Sequence, residues 1–227
     1  MIKMRVTTGL KKLDRLLSGG LPEKSVVLLS GGPGTGKTLF ALNYLLEGAR
    51  NGEKCCYVSL SEYDNELVKA AESIKSMSDI KKYLGKNLVI ENILMSASNL
   101  SMGRFVDLIS KYPKLDRIVI DDVNKMLIFS DTEKSYRAYL AQLVSSLKSS
   151  KSALLLCETE GDEKIDSGNK EAYECDGIMQ IVFLDLEEKP MRSLIIHKMR
   201  YTSFDPKVPH ELKISSKEMK LTETKII

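Results

Sequence analysis

Eight consecutive residues concentrate more chemistry than any other stretch of the chain: Gly31, Gly32, Pro33, Gly34, Thr35, Gly36, Lys37 and Thr38. They satisfy the pattern GxxxxGK[ST], set between an apolar run that reads as a strand and a periodic segment that reads as a helix. Glycines let backbone amides turn inward around phosphate oxygens with no Cβ in the way, and the following helix aims its positive end at the same anion. Gly32, Pro33, Gly34, Thr35, Gly36, Lys37 and Thr38 are therefore expected to hold nucleotide phosphates, with Lys37 on the β- and γ-phosphates and Thr38 as a ligand of Mg2+. Such a loop needs an acidic partner at the end of a later buried strand to hold the magnesium shell. Asp121, closing Arg117-Ile118-Val119-Ile120-Asp121, fits that place. Asp122 beside it reads as a local cap or as a group behind the magnesium ligands.

The elements that must position these groups follow from hydrophobic pattern. Apolar runs rich in Val, Ile and Leu recur at 25–30 (SVVLLS), 54–59 (KCCYVS), 87–90 (NLVI), 116–121 (DRIVID) and 152–157 (SALLLC). Runs this continuous predict strands buried on both faces of a parallel sheet. Between them, 37–50, 62–73 and 132–148 read as helices. In the last, Tyr136, Leu140, Leu143, Val144 and Leu147 fall on one stripe, and Ser130 with Glu133 reads as a capping box. After Gly177 the alternation stops. Two strand-like runs, 178–186 and 192–199, flank the polar turn Glu187-Glu188-Lys189-Pro190 and predict a hairpin. The expectation is a three-layer α/β fold with a mostly parallel central sheet and a C-terminal antiparallel hairpin. No repeat or linker divides residues 1–227, so one domain is expected, with a weakly structured tail from about Lys217.

Composition narrows the class without choosing a function. With 34 Lys and Arg against 31 Asp and Glu, the net charge of +3 predicts neither a nucleic-acid nor a membrane partner. Cys55, Cys56, Cys157 and Cys175 have no CxxC spacing, and His197 and His210 offer no matching pair, so the cysteines read as small buried residues rather than a zinc site or disulfide framework. That suits a reducing compartment. No apolar run approaches the roughly 18 residues of a membrane span, and a cytoplasmic protein is expected.

Around the phosphate loop the match extends beyond a motif. Thr8-Gly9-Leu10, Leu13-Asp14-Arg15-Leu16-Leu17 and Gly19-Gly20-Leu21-Pro22 precede it; Asp121, Asp176-Gly177 and His197-Lys198-Met199-Arg200 follow. The chain resembles the KaiC-like branch of the RecA superfamily over nearly its whole length. That resemblance implies a RecA-like core binding ATP and Mg2+ between adjacent subunits of a homo-oligomeric ring or filament. It also implies that Lys198 and Arg200 reach a neighbour's γ-phosphate, stabilising charge on the transferring group and coupling hydrolysis to assembly.

Three departures from the family pattern bear on activity. Where members usually carry two glutamates after the second strand, this chain has Ser61 and Glu62, and serine is a poor general base. Glu62 remains to orient water, while Ser61 with Asp64 suits a helix N-cap. The autophosphorylated Ser/Thr pair of the clock protein aligns with Ala172 and Tyr173, which disfavours an autokinase. The glycine and histidine that commonly follow the Lys-x-Arg are replaced by Tyr201 and Phe204.

Recombinases of this superfamily hold DNA on loops after the fourth and fifth core strands. Here residues 158–176 contain Glu158, Glu160, Asp162, Glu163, Asp166, Glu171, Glu174 and Asp176 against Lys164 and Lys170, a net −6 that leaves +9 elsewhere. Such a loop repels phosphate, so DNA is not the expected partner, and Tyr173 within it reads as a packing residue. Three functions stay open: a slow or partner-stimulated ATPase whose nucleotide state controls self-assembly or a protein partner; a non-hydrolysing ATP-binding assembly module, favoured by Ser61; and a recombination accessory acting on DNA.

Overall fold

The computed structural model describes residues 4–93, 115–130, 132–186 and 189–222. Nine strands form one sheet: β3 (Ser25–Gly31), β4 (Cys55–Ser59), β5 (Leu88–Asn92), β6 (Arg117–Asp121), β7 (Ser152–Glu158), β8 (Gly177–Leu186), β9 (Lys189–Met199), β10 (Pro209–Ile214) and β11 (Met219–Leu221). Their order is β11-β10-β9-β8-β3-β7-β6-β4-β5. From β8 to β5 every neighbouring pair is parallel, and β9, β10 and β11 continue the sheet antiparallel. A separate two-stranded sheet, β1 (Arg5–Val6) with β2 (Leu21–Pro22), precedes it.

The continuous apolar runs are explained by burial on both faces, except in β5, which is the edge strand and buries only Leu88. Val27 and Leu29 of β3 join Leu154 and Leu156 of β7 in a core shared with Phe40, Leu42 and Leu45 of α2 (Lys37–Arg50), while α3 (Asp64–Glu72) adds Leu67 and Ala71. Val26 and Leu28 point the other way, with Ala153, Leu155, Ile118 and Ile120, onto α4 (Glu133–Leu147). The stripe of Tyr136, Leu140, Leu143, Val144 and Leu147 is the buried face of α4, and each such side chain is worth about 1.5–3 kcal/mol on burial. Helix, sheet and helix make the expected three layers.

The signature before the phosphate loop has a structural task. Thr8 donates from both its amide and its hydroxyl to Asp14 Oδ1, each at 2.7 Å, at the start of α1 (Lys11–Leu16), and Asn43 on α2 donates to the Thr8 carbonyl at 3.1 Å. Buried Arg117, at the foot of β6, donates to the carbonyls of Thr7 and Tyr44 and pairs with Glu53. Together these contacts dock the N-terminal segment on α2.

Several boundaries differ from expectation. The cap of α4 is Thr132 rather than Ser130: Thr132 Oγ1 accepts from the Ser135 amide at 3.1 Å, and Ser135 Oγ from the Thr132 amide. Ser130 instead donates to the Met126 carbonyl, one turn back. Helix α3 starts at Asp64, with Tyr63 at its cap and Glu66 accepting from the Tyr63 amide at 3.1 Å, so Ser61 caps nothing. Lys189 and Pro190 belong to β9, and Glu187 and Glu188 lie outside the described residues. Within the segment expected to be weakly structured, β11 pairs with β10 and buries Met219 and Leu221. Strands this short and this rich in lysine carry too little alternation to be read from pattern.

Candidate nucleotide site

Strand β3 is buried along its whole length and delivers the loop at its C-terminal end, where α2 begins. Two of the loop's glycines are demanded by their surroundings, Gly31 by a backbone close approach and Gly36 by its left-handed φ. A Cβ on Gly31 (φ +153°) would lie 2.3 Å from the Ile181 carbonyl oxygen, and one on Gly36 (φ +99°) 2.6 Å from Ile214 Cδ1. At Gly34 a Cβ would meet nothing within 4 Å, and at Gly32 only the Thr159 carbonyl at 4.0 Å. Those two positions leave an open face above the loop at the head of α2, where backbone amides and the helix dipole favour an anion. Thr35 closes the loop from inside by donating to the Gly32 carbonyl at 2.9 Å. Pro33, with no amide hydrogen, is exposed at the loop's outer turn.

Lys37 is nearly buried and donates to the carbonyls of Gly31 and Gly32, both at 2.9 Å. Burial lowers its pKa, and the charges of Glu158, Asp121 and Asp122 oppose that shift. Thr38 donates to Asp121 Oδ2 at 3.2 Å, and the Tyr57 hydroxyl donates to the same oxygen. Asp121 sits 9% exposed at the end of β6; burial raises its pKa, the Tyr57 and Thr38 hydrogen bonds oppose the rise, and Glu62 adds to it. Asp122 is the local cap that its position suggests, accepting from the Lys125 amide at 3.1 Å. Its carboxyl is pushed up to about 6, first by burial and then by Asp121.

Glu62 belongs to the same corner. Ser59, the last residue of β4, accepts from the Glu62 amide at 2.9 Å and donates to its carbonyl at 2.7 Å. The Leu60 amide donates to the Asp121 carbonyl at 2.6 Å, so the turn carrying Ser61 and Glu62 is stitched to the end of β6. Burial and the charge of Glu66 raise the Glu62 pKa, with Lys125 opposing. Ser61 is exposed.

Lys198 and Arg200 are elsewhere. Gly177, at the foot of β8, pairs with Val27 in the lower half of β3 and with Met199 of β9. The loop leaves β3 after Gly31, four residues further on, which is about 13 Å along a strand. Lys198 Nζ donates to the Cys175 carbonyl at 2.6 Å, and Arg200 pairs with buried Asp176 at 3.1 Å, alongside Lys148 at 3.3 Å. Within one protomer these cations do not join the loop. Tyr201, the residue after Arg200, takes φ +62°.

Sequence reasoning missed Arg192. On β9 it lies against the loop: the Gly36 Cβ position is 4.0 Å from Arg192 Nε. Its guanidinium stacks on Phe183 at 5.0 Å, and Nε is buried with no hydrogen-bond partner among the described residues. The sequence shows only an arginine in a strand that also carries Ser193, His197 and Lys198, and nothing local says which strand end borders the loop.

Comparison with known proteins now identifies the lineage. The profile described as "ATPase: KaiC" matches residues 6–226. The chain belongs to the KaiC family of ATPases. It is 30% identical over 219 residues to a UPF0273 protein of Thermotoga maritima, covering 89% of each chain. It is 25% identical over 208 residues to the circadian clock protein KaiC2 of Synechocystis, spanning 87% of this chain and 36% of that one. A KaiC-like protein of Pyrococcus horikoshii superposes with a TM-score of 0.85 at 26% identity, covering 97% of this chain and all of the other. As a member of the KaiC family, the chain carries a RecA-like ATP-binding ATPase fold.

The donor set fits Mg2+ with a nucleotide. Among the described residues no three His, Cys, Asp or Glu side chains converge on a metal. None is required, since Mg2+ bound with a nucleotide takes one or two hard oxygen ligands from protein and the rest from phosphates and water. Thr38 and Asp121, hydrogen-bonded to each other beside the open face of the loop, could supply such oxygens.

Two expectations about residues 158–176 change. Tyr173 is 75% exposed and is not a packing residue. The acids are not one repulsive surface: Glu171 is fully buried and accepts from Tyr136 at 2.8 Å, and Asp176 is paired internally, which leaves Glu158, Glu160, Asp162 and Glu163 exposed near the loop.

Proposed function

We propose that residues 1–227 form one nucleotide-binding domain that takes ATP with Mg2+ and hydrolyses it slowly between subunits of a head-to-tail homo-oligomer. The nucleotide state then governs that assembly or its grip on a protein partner. The observation that carries this reading is the separation of Lys198 and Arg200 from their own loop, at the opposite end of the sheet. A cationic pair so placed is out of reach of its own loop, and in this reading it turns from Cys175 and Asp176 to a neighbour's phosphate.

In this reading the amides at the head of α2 and the Lys37 ammonium hold the β- and γ-phosphates, and Thr38 and Asp121 hold the Mg2+ shell. Bound Mg2+ would neutralise charge on the transferring phosphoryl group. Arg192, stacked on Phe183 beside Gly36, would contact the nucleotide from the same subunit. Glu62, whose raised pKa brings it nearer the range of a working base, would orient the attacking water. Arg200 and Lys198 of the adjacent subunit would offset the charge that develops as the bond to the leaving oxygen breaks.

An exposed serine at position 61 favours a second reading, an assembly module that binds ATP without turnover. Light scattering with and without Mg-ATP, run beside a phosphate-release assay, separates the two. The first reading expects larger particles in Mg-ATP and turnover per subunit that rises with protein concentration. Assembly without phosphate release selects the second, and no nucleotide-dependent assembly removes both. The exposed acids around Glu158 weigh against DNA, and no gel shift is expected even at low salt. Four buried, unpaired cysteines suit a reducing compartment such as the cytoplasm, and among the described residues no helix is long and apolar enough to cross a membrane.

A further inference from the structure

One buried hydroxyl in the site has no part in the reading above. Tyr57 is fully buried on β4, opposite Val119 of β6. Asp121 is two residues beyond Val119 and so projects from the same face of the sheet. The Tyr57 ring runs up that face beside α2 and sets its hydroxyl on Asp121 Oδ2. The same oxygen accepts from Thr38 Oγ1 at 3.2 Å. Among the described residues Oδ1 accepts no hydrogen bond from a side chain or backbone group, so both donors converge on one oxygen and leave the other free.

That division has a chemical use. A hydroxyl that gives a lone pair to a cation points its O–H away from that cation, and Asp121 Oδ2 is the acceptor towards which the Thr38 O–H points. A carboxylate held by Thr38 alone could rotate and present either oxygen. A second donor from the rigid sheet fixes which oxygen faces Thr38 and which faces the Mg2+ shell. We propose that Tyr57 is a positioning residue: its hydroxyl holds the Asp121 carboxylate in the orientation that accepts the Thr38 hydrogen bond, and so sets the affinity of the site for Mg2+ rather than for the nucleotide. The inference rests on the reading of Thr38 and Asp121 as the Mg2+ corner. Outer-shell partners of this kind change metal affinity by about 10- to 100-fold.

The test is a binding measurement that needs no turnover. A fluorescent ATP analogue is titrated in EDTA and then across Mg2+ concentrations, with wild type, Tyr57→Phe, Asp121→Asn and the double variant. Tyr57→Phe keeps the ring and its packing. The expected result is a Mg2+ requirement raised by about 10- to 100-fold, with affinity in EDTA unchanged and no added effect of Tyr57→Phe on an Asp121→Asn background. Tyr57→Met, which removes the hydroxyl by a different route, should shift the Mg2+ requirement in the same direction if Tyr57→Phe does not fold. An unchanged Mg2+ requirement, an equal loss of affinity in EDTA, or full additivity with Asp121→Asn overturns the proposal. Wild-type binding that ignores Mg2+ overturns the assignment of Thr38 and Asp121, and this proposal with it.

Discussion

Lys37 lies folded onto the loop it serves, its ammonium satisfied by the Gly31 and Gly32 carbonyls. Burial has removed most of its water, so phosphate replaces carbonyl partners rather than solvent, and a charged hydrogen bond in such a place is worth about 1.5–3 kcal/mol. Lys37→Ala is expected to weaken ATP binding by about 10- to 100-fold by equilibrium titration and to abolish phosphate release. Ser61→Glu tests the missing carboxylate. If its loss limits turnover, phosphate release rises by about 10²- to 10⁴-fold, whereas an unchanged rate means that Glu62 already supplies the base. Away from the site, Arg50 pairs with Asp79 and also donates to the Ser76 carbonyl at 2.6 Å, tying the end of α2 to the segment before β5. The Arg50 hydrogen bond holds the Asp79 carboxyl below its ordinary 3.8. The native state then binds fewer protons than the unfolded chain, so this contribution is present above pH 3.8 and is lost as the pH falls below it. Asp79→Asn should lower stability at pH 7 by about 0.2–1 kcal/mol, with the difference from wild type closing in acid melts.

At the scale of elements, the C-terminal strands are part of the fold rather than an appendage. Met219 and Leu221 are each 6% exposed, and Ile214 of β10 touches the phosphate loop at Gly36. Leu221→Ala is expected to cost about 2–5 kcal/mol in urea unfolding, and removal of residues 217–227 to cost at least as much. The start of α4 offers a second check. Thr132→Ala removes the cap and should cost about 1 kcal/mol, while Ser130→Ala should cost less. From β3 to β9 the existence of the elements was legible from sequence and their ends were not, while β10 and β11 were not legible at all. The runs of β3, β4, β6 and β7 announced themselves because burial on both faces favours apolar residues along their length. Ser130, Thr132 and Glu133 are all competent at a helix start, and only the path of the chain out of the preceding turn, Val123–Phe129, selects among them.

For the whole molecule, Lys198 and Arg200 lie at the end of the sheet opposite the glycine-rich loop, and the proposed head-to-tail contact would bring them to a neighbour's loop. Arg200→Ala should reduce turnover by about 10³-fold or more while leaving ATP affinity of the isolated subunit unchanged. Mixing Lys37→Ala with Arg200→Ala should restore part of the activity, since some interfaces then pair an intact loop with an intact cation. No recovery on mixing would place the site within one subunit.

The sequence alone determined the phosphate loop, its acidic partner and the parallel core, because each depends on local spacing or on a run of residues that water must not reach. Contacts between distant strands were decided by the tertiary structure. It brought Tyr57 and Thr38 onto one oxygen of Asp121 and laid Arg192 and Ile214 against Gly36. It carried Lys198 and Arg200 to the far end of the sheet. Those placements depend on strand order and register, which sum many weak pairings across the whole chain, and no short stretch of residues encodes them.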